Sequence, residues 1–568
     1  MKKTAVICLI LMFATVTQAA DSQPEMELRS DRTLIYPQRM ELTGEETLLD
    51  ILEMYPDLMG AGFDDLLTGN GAQDSYQFRM DNVTMSGDLR LLLTQIKAKL
   101  ISKIKICDNA GVAKGRTGDG RVIDINLLKA EEGAHGFLSL QGGSDKQLAP
   151  SANVRYGSEH TDLWSAMTYT HKDANSTVNN VESMHIQMTN RLSPRDRLLS
   201  YVTQSSSVAD RSGASTSHSR NESFMARTRY FHNFNDQGTE LLMLLSWAHK
   251  NAPADNYRVS PYRSHHLSSH TNSPIWLTEL NTPLFTKNLS MMLGYEGDLD
   301  ITRYGIDYDS AADSPFSQES RYHVMNNDIY ISFNYVAGPV RLTVGDRVMF
   351  YHYKQEGYAD DWSKNDTRNN FHASVVLTPQ KAHQVQVAYY RKFRNPSAMN
   401  MFPEEWVNAD GTYKGGNPLL EEVKTDQYKL SYLYCQPTLT GRLDGSLYHT
   451  DTNDYWTIDG AVNKKVGALS LTAGFNVYSI KPENDSRTTF ADIRIVPAVR
   501  LPQVVQVSAK LIWYSYKAPY RMLADNTAFY GALQADKQLG SHWSLHAEWH
   551  DMFYSQRSAA LASVMYHF

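Results

Sequence analysis

The sequence predicts an all-β membrane protein: a 22-stranded antiparallel transmembrane β-barrel with an N-terminal α+β plug domain in its lumen. Three observations carry this expectation. The chain ends on a strand of period two, with Ala560, Ala562, Val564, Tyr566 and Phe568 on one face and Leu561, Ser563, Met565 and His567 on the other. Similar alternation recurs from residue 134 onward, while the mean hydropathy is −0.44 and no segment beyond the N-terminus is apolar and long enough to span as a helix. A barrel can look this polar because only every second strand residue meets lipid. Tyrosine is abundant, with 33 residues, as aromatic girdles at two membrane interfaces require.

Taken in order, Lys2 and Lys3 precede an apolar run from Ala5 to Val16, followed by Thr17-Gln18-Ala19-Ala20. This pattern predicts a signal peptide over residues 1–20. Cys8 leaves with it; Cys107 and Cys435 are too few for a disulfide framework and are expected as buried thiols, with a single bridge as the alternative. A net charge of −7 speaks against a nucleic-acid partner. Residues 21–133 do not alternate like barrel strands. Thr47–Leu52 reads as a short amphipathic helix closed by Tyr55-Pro56, and residues 60–75 as loop. Strands are expected at Tyr76–Val83, running into a turn, at Ile101–Cys107 and at Val122–Lys129. The barrel occupies 134–568, its expected strand cores running from 134–142 to 559–568 and including 181–191, 238–249, 274–284, 369–378, 453–460 and 464–480. Short turns such as Leu192–Arg195 alternate with longer polar loops. A barrel this wide needs a separate filling, and 21–133 is the candidate.

The terminal aromatic resembles the C-terminal signal of bacterial outer-membrane barrels, and several segments resemble the TonB-dependent outer-membrane receptors. Leu48–Pro56 is similar to that family's leucine-rich helix, Phe78-Arg79-Met80-Asp81-Asn82 to its strand and turn, Ile104-Lys105-Ile106 to its Ile-Glu-Val strand, and Val122–Lys129 to its closing strand. Tyr390–Ser397 followed by Gly416–Glu422 resembles its Phe-Arg-x-Pro-Ser and Gly-Asn-Pro-x-Leu pair, and the whole looks like the shorter receptors of Bacteroidota-type bacteria. Departures are Lys105 for an acidic residue, Asp108-Asn109 for Gly-Pro and Glu421-Glu422 for Pro-Glu. The family's coupling box pairs with an energy-coupling protein by strand addition. Thr33-Leu34-Ile35-Tyr36 is the candidate for it and reads equally as the first strand of the plug domain.

The resemblance implies a multi-pass protein of the Gram-negative outer membrane, contacting lipid, importing a small ligand (metal chelate, cofactor or peptide) and coupled to a TonB-type periplasmic protein. The alternative is a plugged barrel that binds or assembles at the surface without transport; a surface lipoprotein partner is left open. The loops expected to be longest outside are 250–273 and 394–424. In the first, Tyr257, Tyr262, His265 and His266 suggest a metal or metal chelate, beside the plainer reading of a solvated loop. In the second, Glu404, Trp406 and Tyr413 suit stacking and hydrogen bonding to a sugar or peptide. His546, Glu548 and His550 share one strand face, either as metal ligands or as a polar lumen wall. No enzyme motif and no resident cofactor is expected.

Overall fold

The computed structural model describes residues 24–29, 32–40, 42, 46–53, 76–81, 83–84, 93, 96–107 and 121–568, the last without 145, 175, 214, 259–262, 311–314, 358–360, 395–404, 408–412, 416, 418, 452, 483–487, 502–504, 515–528, 541 and 551–558. The expected signal peptide and the loop at 60–75 lie outside the described residues.

The first described elements form a six-stranded sheet: β1 (Met26–Leu28), β2 (Thr33–Ile35), β3 (Tyr76–Met80), β4 (Val83–Thr84), β5 (Ile101–Cys107) and β6 (Arg121–Leu127). Its order is β1-β2-β5-β6-β3-β4, and of its pairings only β3–β6 is parallel. Helix α1 (Leu48–Glu53) packs Leu48, Leu49, Ile51 and Leu52 onto Phe78, Ile104 and Ile123. The helix is started by a reciprocal cap, in which Asp50 accepts from the Thr47 backbone at 2.7 Å and its own N–H donates to the Thr47 hydroxyl at 3.3 Å. The same apolar cluster takes in Trp164, Val376 and Leu433 from three separated barrel strands, so the sheet sits within the barrel.

The barrel strands are β7 (Gly133–Gly143), β8 (Gln147–Gly157), β9 (Thr161–Ala174), β10 (Thr177–Arg191), β11 (Asp196–Arg211), β12 (Ser215–Asn233), β13 (Glu240–Asn251), β14 (Ala254–Arg258), β15 (Arg263–Leu284), β16 (Thr286–Ser310), β17 (Phe316–Ala337), β18 (Val340–Gly357), β19 (Trp362–Gln380) and β20 (His383–Arg394). After the hairpin β21 (Glu405–Val407) and β22 (Tyr413–Gly415) come β23 (Val423–Gln436), β24 (Leu439–Thr450), β25 (Asn453–Val466), β26 (Leu469–Pro482), β27 (Thr488–Leu501), β28 (Val505–Tyr514), β29 (Phe529–Leu539), β30 (Trp543–His550) and β31 (Ala559–His567). β13 and β14 each pair with both β12 and β15 and are one strand broken at Ala252-Pro253, where proline has no N–H to donate. The ring is therefore 22-stranded and antiparallel, closed by β31 on β7, with Phe568 and Gly136 exchanging backbone hydrogen bonds of 3.0 Å.

Each expected core has its strand, and two departures at the boundaries have a physical reason. β25 runs on to Val466, so the turn falls at Gly467-Ala468, where Gly467 takes φ +58°. The break expected between 460 and 464 is continuous strand, and the polar Asn463 and Lys465 face the lumen: Lys465 meets Glu25 at 3.3 Å. The larger correction concerns 250–273. That segment is not a long loop; β14 and β15 fill it and leave only 259–262. Beyond the membrane both strand faces are polar, so the pairing persists while the hydropathy alternation disappears. β15, β16 and β17 reach 22, 25 and 22 residues, roughly twice the 9–11 a membrane crossing needs, and build a tall wall at the end opposite the tight turns 338–339 and 381–382.

Between its ends the outer surface is apolar. Outward pairs of aromatics border it: Trp543 and Tyr566 with ring centres 4.9 Å apart near one end, Tyr389 and Tyr428 at 5.1 Å toward the other. On β18 the inward Thr343, Arg347, Met349, Tyr351 and Tyr353 are buried while the outward Leu342 and Phe350 are exposed.

Candidate functional site

The first structural feature with functional meaning is the seam between the inner sheet and the wall. β1 and β2 are fastened to neighbouring wall strands by polar bonds. The Leu28 N–H donates to Gln384 Oε1 at 2.7 Å, and Gln386 Nε2 donates to the Arg29 carbonyl at 3.0 Å. Glu27 pairs with Arg341 at 2.6 Å and Glu25 with Lys465 at 3.3 Å. Arg442, itself paired with Asp444 at 2.6 Å, donates to Thr33 Oγ1 at 2.9 Å. On other sides Gln534 donates to Asp50 at 3.3 Å, Arg500 faces Glu46 at 3.7 Å and Gln187 donates to Asp81 at 3.2 Å. Alongside the apolar contacts, these bonds can be exchanged for water at small net cost, unlike a dry packed interface.

The candidate coupling segment lies at this seam. Thr33, Leu34 and Ile35 form β2, which is buried and paired on both edges, by β1 and by β5. Tyr36 follows it, half-buried, its hydroxyl donating to Glu27 at 3.3 Å. In this arrangement strand addition by another protein requires β2 first to leave the sheet. The unusual Lys105 also finds its reason here: it stands opposite Asp124 and pairs with it at 3.0 Å.

Asp81 turns the chain from β3 into β4 with φ +47°. One carboxylate oxygen accepts from the Leu127 N–H at 3.1 Å and from Asn126 at 3.2 Å, and the other from Gln187. Burial pushes its carboxyl above the usual carboxylate range, against these bonds. Because the folded value is raised, the contribution of Asp81 to folding is fullest below the unfolded carboxylate pKa and declines as pH rises through the folded value. Asp81→Asn keeps an acceptor and tolerates the left-handed turn. It is expected to cost under about 1 kcal/mol and to flatten this pH dependence, whereas Asp81→Ala should cost about 2–3 kcal/mol. Limited proteolysis of the inner sheet at pH 5 and pH 8 reads both. An alanine variant no weaker than the asparagine one would refute the assignment.

At the long-loop end, the described parts of the connection between β20 and β23 are a short hairpin and a returning limb. The β21–β22 hairpin, pairing Trp406 with Lys414 and Val407 with Tyr413, reaches β16. Glu404 lies outside the described residues. The returning limb is pinned to the lumen face. Leu420 packs on Tyr351 and Tyr353, whose rings stack at 6.0 Å; Glu422 meets Arg368 at 3.2 Å; and Arg368 sits 4.8 Å over the Tyr351 ring. A second lumen-facing aromatic group is Tyr448, stacked on Tyr455 at 4.2 Å, with Tyr478 at 5.7 Å from Tyr455. These tyrosines stand on the wall and not in the loops where the sequence places candidate ligand contacts. Their signal was parity, since each alternates with an outward residue such as Leu447 or Trp456.

The histidine cluster is divided by the sheet. His265 is buried on the lumen face beside Tyr308, with ring centres 6.4 Å apart. His266 points outward and bonds Asp255 at 2.5 Å. Tyr257 is exposed on β14, and Tyr262 lies outside the described residues. Across the outer wall Asp210, His218, Asp255, His266 and Asp307 stand opposite one another on successive strands. A groove of about 390 Å³ beside them is lined by Arg211, His218, Asp255 and Tyr257. On β30, His546, Glu548 and His550 do share the lumen face, where His546 bonds Asp536 at 2.7 Å and His550 bonds Glu548 at 2.9 Å. Among the described residues no three His, Cys, Asp or Glu side chains converge as a metal site.

A closed 22-stranded barrel holding a small sheet by exchangeable bonds is the architecture of an outer-membrane receptor. Residues 168–538 match the family described as TonB dependent receptor-like, beta-barrel, and the chain belongs to that family. Solved structures agree in fold. The alcaligin outer-membrane receptor FauA from Bordetella pertussis is 13% identical with a TM-score of 0.68, covering 98% of this chain and 100% of its own. The ferric-catecholate import receptor Fiu from E. coli K12 is 11% identical at 0.69, covering 97% and 99%. The copper transporter OprC is 11% identical at 0.69, covering 97% and 100%. No curated protein matches the chain. The protein is thus a multi-pass β-barrel of a Gram-negative outer membrane, in a family of receptors and transporters that bind small extracellular ligands and engage periplasmic TonB.

Proposed function

We propose that this protein imports a small ligand, a metal chelate, cofactor or peptide, across the outer membrane with energy from a TonB-type coupling protein. Residues 1–20 are its signal peptide, 21–133 the plug and 134–568 the barrel. The observation that carries the reading is the placement of β1 and β2. A pull on the N-terminal segment is applied first to this hairpin, and the bonds from Gln384, Gln386, Arg341, Arg442 and Lys465 are the first to yield. The ligand enters from the end covered by the β21–β22 hairpin and meets Tyr448 and Tyr455 on the wall. The chelate class accords with the alcaligin receptor, the copper transporter and the ferric-catecholate import receptor that share the fold. Thr33–Tyr36 serves as the coupling segment by leaving the sheet.

The test is binding of the coupling protein's periplasmic domain to the folded full chain, with a peptide of residues 21–40 as competitor. Binding that the peptide displaces, with faster backbone hydrogen exchange at Thr33–Ile35, is the expected result. A folded barrel that binds no coupling domain leaves the second reading, a plugged surface-binding or assembly protein without transport.

A further inference from the structure

The outer wall carries a recess that ligand import does not use. On β20, β23, β24 and β25, Val387, Leu430, Gly445 and Ile458 stand opposite one another in one cross-strand row, and Tyr389, Tyr428, Leu447 and Trp456 in the next. All face outward, and a groove of about 700 Å³ lies among them. Its floor opens at Gly445. A Cβ built there would meet nothing within 4 Å, so the row has a gap between Leu430 and Ile458 where a side chain would fit without strain. The groove lies inside the apolar band, directly below the Tyr389–Tyr428 border, and is continuous with the surface that acyl chains already cover.

Immediately past that border, on the same face, is a polar group. Asp426 accepts from the Tyr389 hydroxyl at 2.6 Å and from Arg391 Nε at 2.9 Å, and Lys424 Nζ lies 3.4 Å from its other oxygen. One carboxylate thus orients two cations whose side chains remain 39% and 37% exposed. The next strand presents His449 already paired with Asp454 at 2.7 Å. A guanidinium edge and an ammonium held side by side suit phosphate oxygens.

We infer that this face is a specific lipid site: an acyl chain of an outer-leaflet lipid lies over Gly445 between Leu430 and Ile458, and its phosphate meets Arg391 and Lys424. The lipid is a structural ligand and is not transported. Its seat differs from ordinary lipid contact in having both a recess for a chain and a fixed cation pair at the right border.

The experiment uses the full chain extracted from its own membrane in mild detergent, with bound lipid identified by native mass spectrometry and phosphate analysis. Wild type should retain about one phosphorylated lipid. Gly445→Trp fills the recess and should retain about tenfold less, as expected from losing the contacts of a couple of methylenes. Ala562→Trp adds the same bulk to the outward face of β31, away from the groove, and should retain lipid as wild type does. Arg391→Gln and Lys424→Gln together should lower retention of the phosphorylated lipid to a similar degree. Heat-modifiable electrophoretic mobility confirms that each variant is folded. Retention by Gly445→Trp at the wild-type level overturns the inference. So does release from wild type of a polypeptide, or of a lipid without phosphate, as the species that Gly445→Trp displaces.

Discussion

Gly136→Leu is expected to stop the barrel from closing. A Cβ at this position would lie 2.2 Å from the Asn153 carbonyl oxygen and 2.7 Å from the Phe568 ring. The ring can turn away, but the carbonyl belongs to the β7–β8 ladder and cannot move without opening it. β7 is also the strand that receives β31, through seven residue pairs from Phe137–His567 to Gly143–Leu561 and the flanking bonds between Gly136 and Phe568. If that seam stays open, two strand edges face hydrocarbon, and each unpaired backbone group costs several kcal/mol. No other contact in the barrel can offset a row of such groups. The folded, membrane-inserted fraction should fall by at least an order of magnitude, the population change that ~1.4 kcal/mol suffices to give. Phe568→Ala is the informative partner. It keeps both backbone bonds and removes only the ring, so closure predicts a mild defect, whereas recognition of the terminal aromatic during assembly predicts a severe one. Gly136→Leu assembling at the wild-type level, read by heat-modifiable mobility in isolated outer membranes, would rule out closure as the limiting contact.

How much of this was legible in the sequence depended on whether a segment had one apolar face. Ala560 to Phe568 alternates because one side meets lipid and the other the lumen, and the structure places it so. Ile101–Cys107 was equally plain, since Ile104 and Ile106 bury against α1. Where both faces are polar, the signal failed although the strands did not. Residues 263–272 pair with β16 without a break, yet read as a loop because serines, histidines and threonines line both sides. Candidate ligand residues suffered from the same blindness. His265 and His266 are adjacent in sequence, and a period of two sends one into the lumen and the other outside. The wall tyrosines lie in strands, where a lumen-facing aromatic looks in sequence like any other member of an alternating pair. The seam was the least legible feature. Arg442 and Thr33 are 409 positions apart, and nothing local to either foretells the other.

That pair supports the second large prediction. Arg442 and Asp444 are both almost fully buried and bonded at 2.6 Å; the other cation near Asp444 is Lys429, at 3.9 Å. Arg442→Ala leaves the Asp444 carboxylate without its close partner and Thr33 Oγ1 without its donor. Breaking a buried pair in this way costs up to about 3–5 kcal/mol, because the carboxylate remains buried with the more distant Lys429 as its counter-charge. Asp444 can answer by taking up a proton or by drawing in water; because the lost bond to Thr33 is also the one that held β2 to the wall, the water route is the one that opens the seam. The expected result is therefore a leaky channel rather than an unfolded barrel, seen as frequent current steps in a planar bilayer where wild type is quiet. Arg442→Lys restores a charge but cannot bond Asp444 and Thr33 through one planar group, so it should leak at an intermediate level. Arg341→Ala is a useful comparison, since Glu27 keeps Arg29 at 2.8 Å and the loss should be smaller. Arg442→Ala as tight as wild type would show that the hairpin stays seated without the Arg442 bond, held by its other contacts. The Arg442–Thr33 bond would then not be the one that a pull on the N-terminal segment must break.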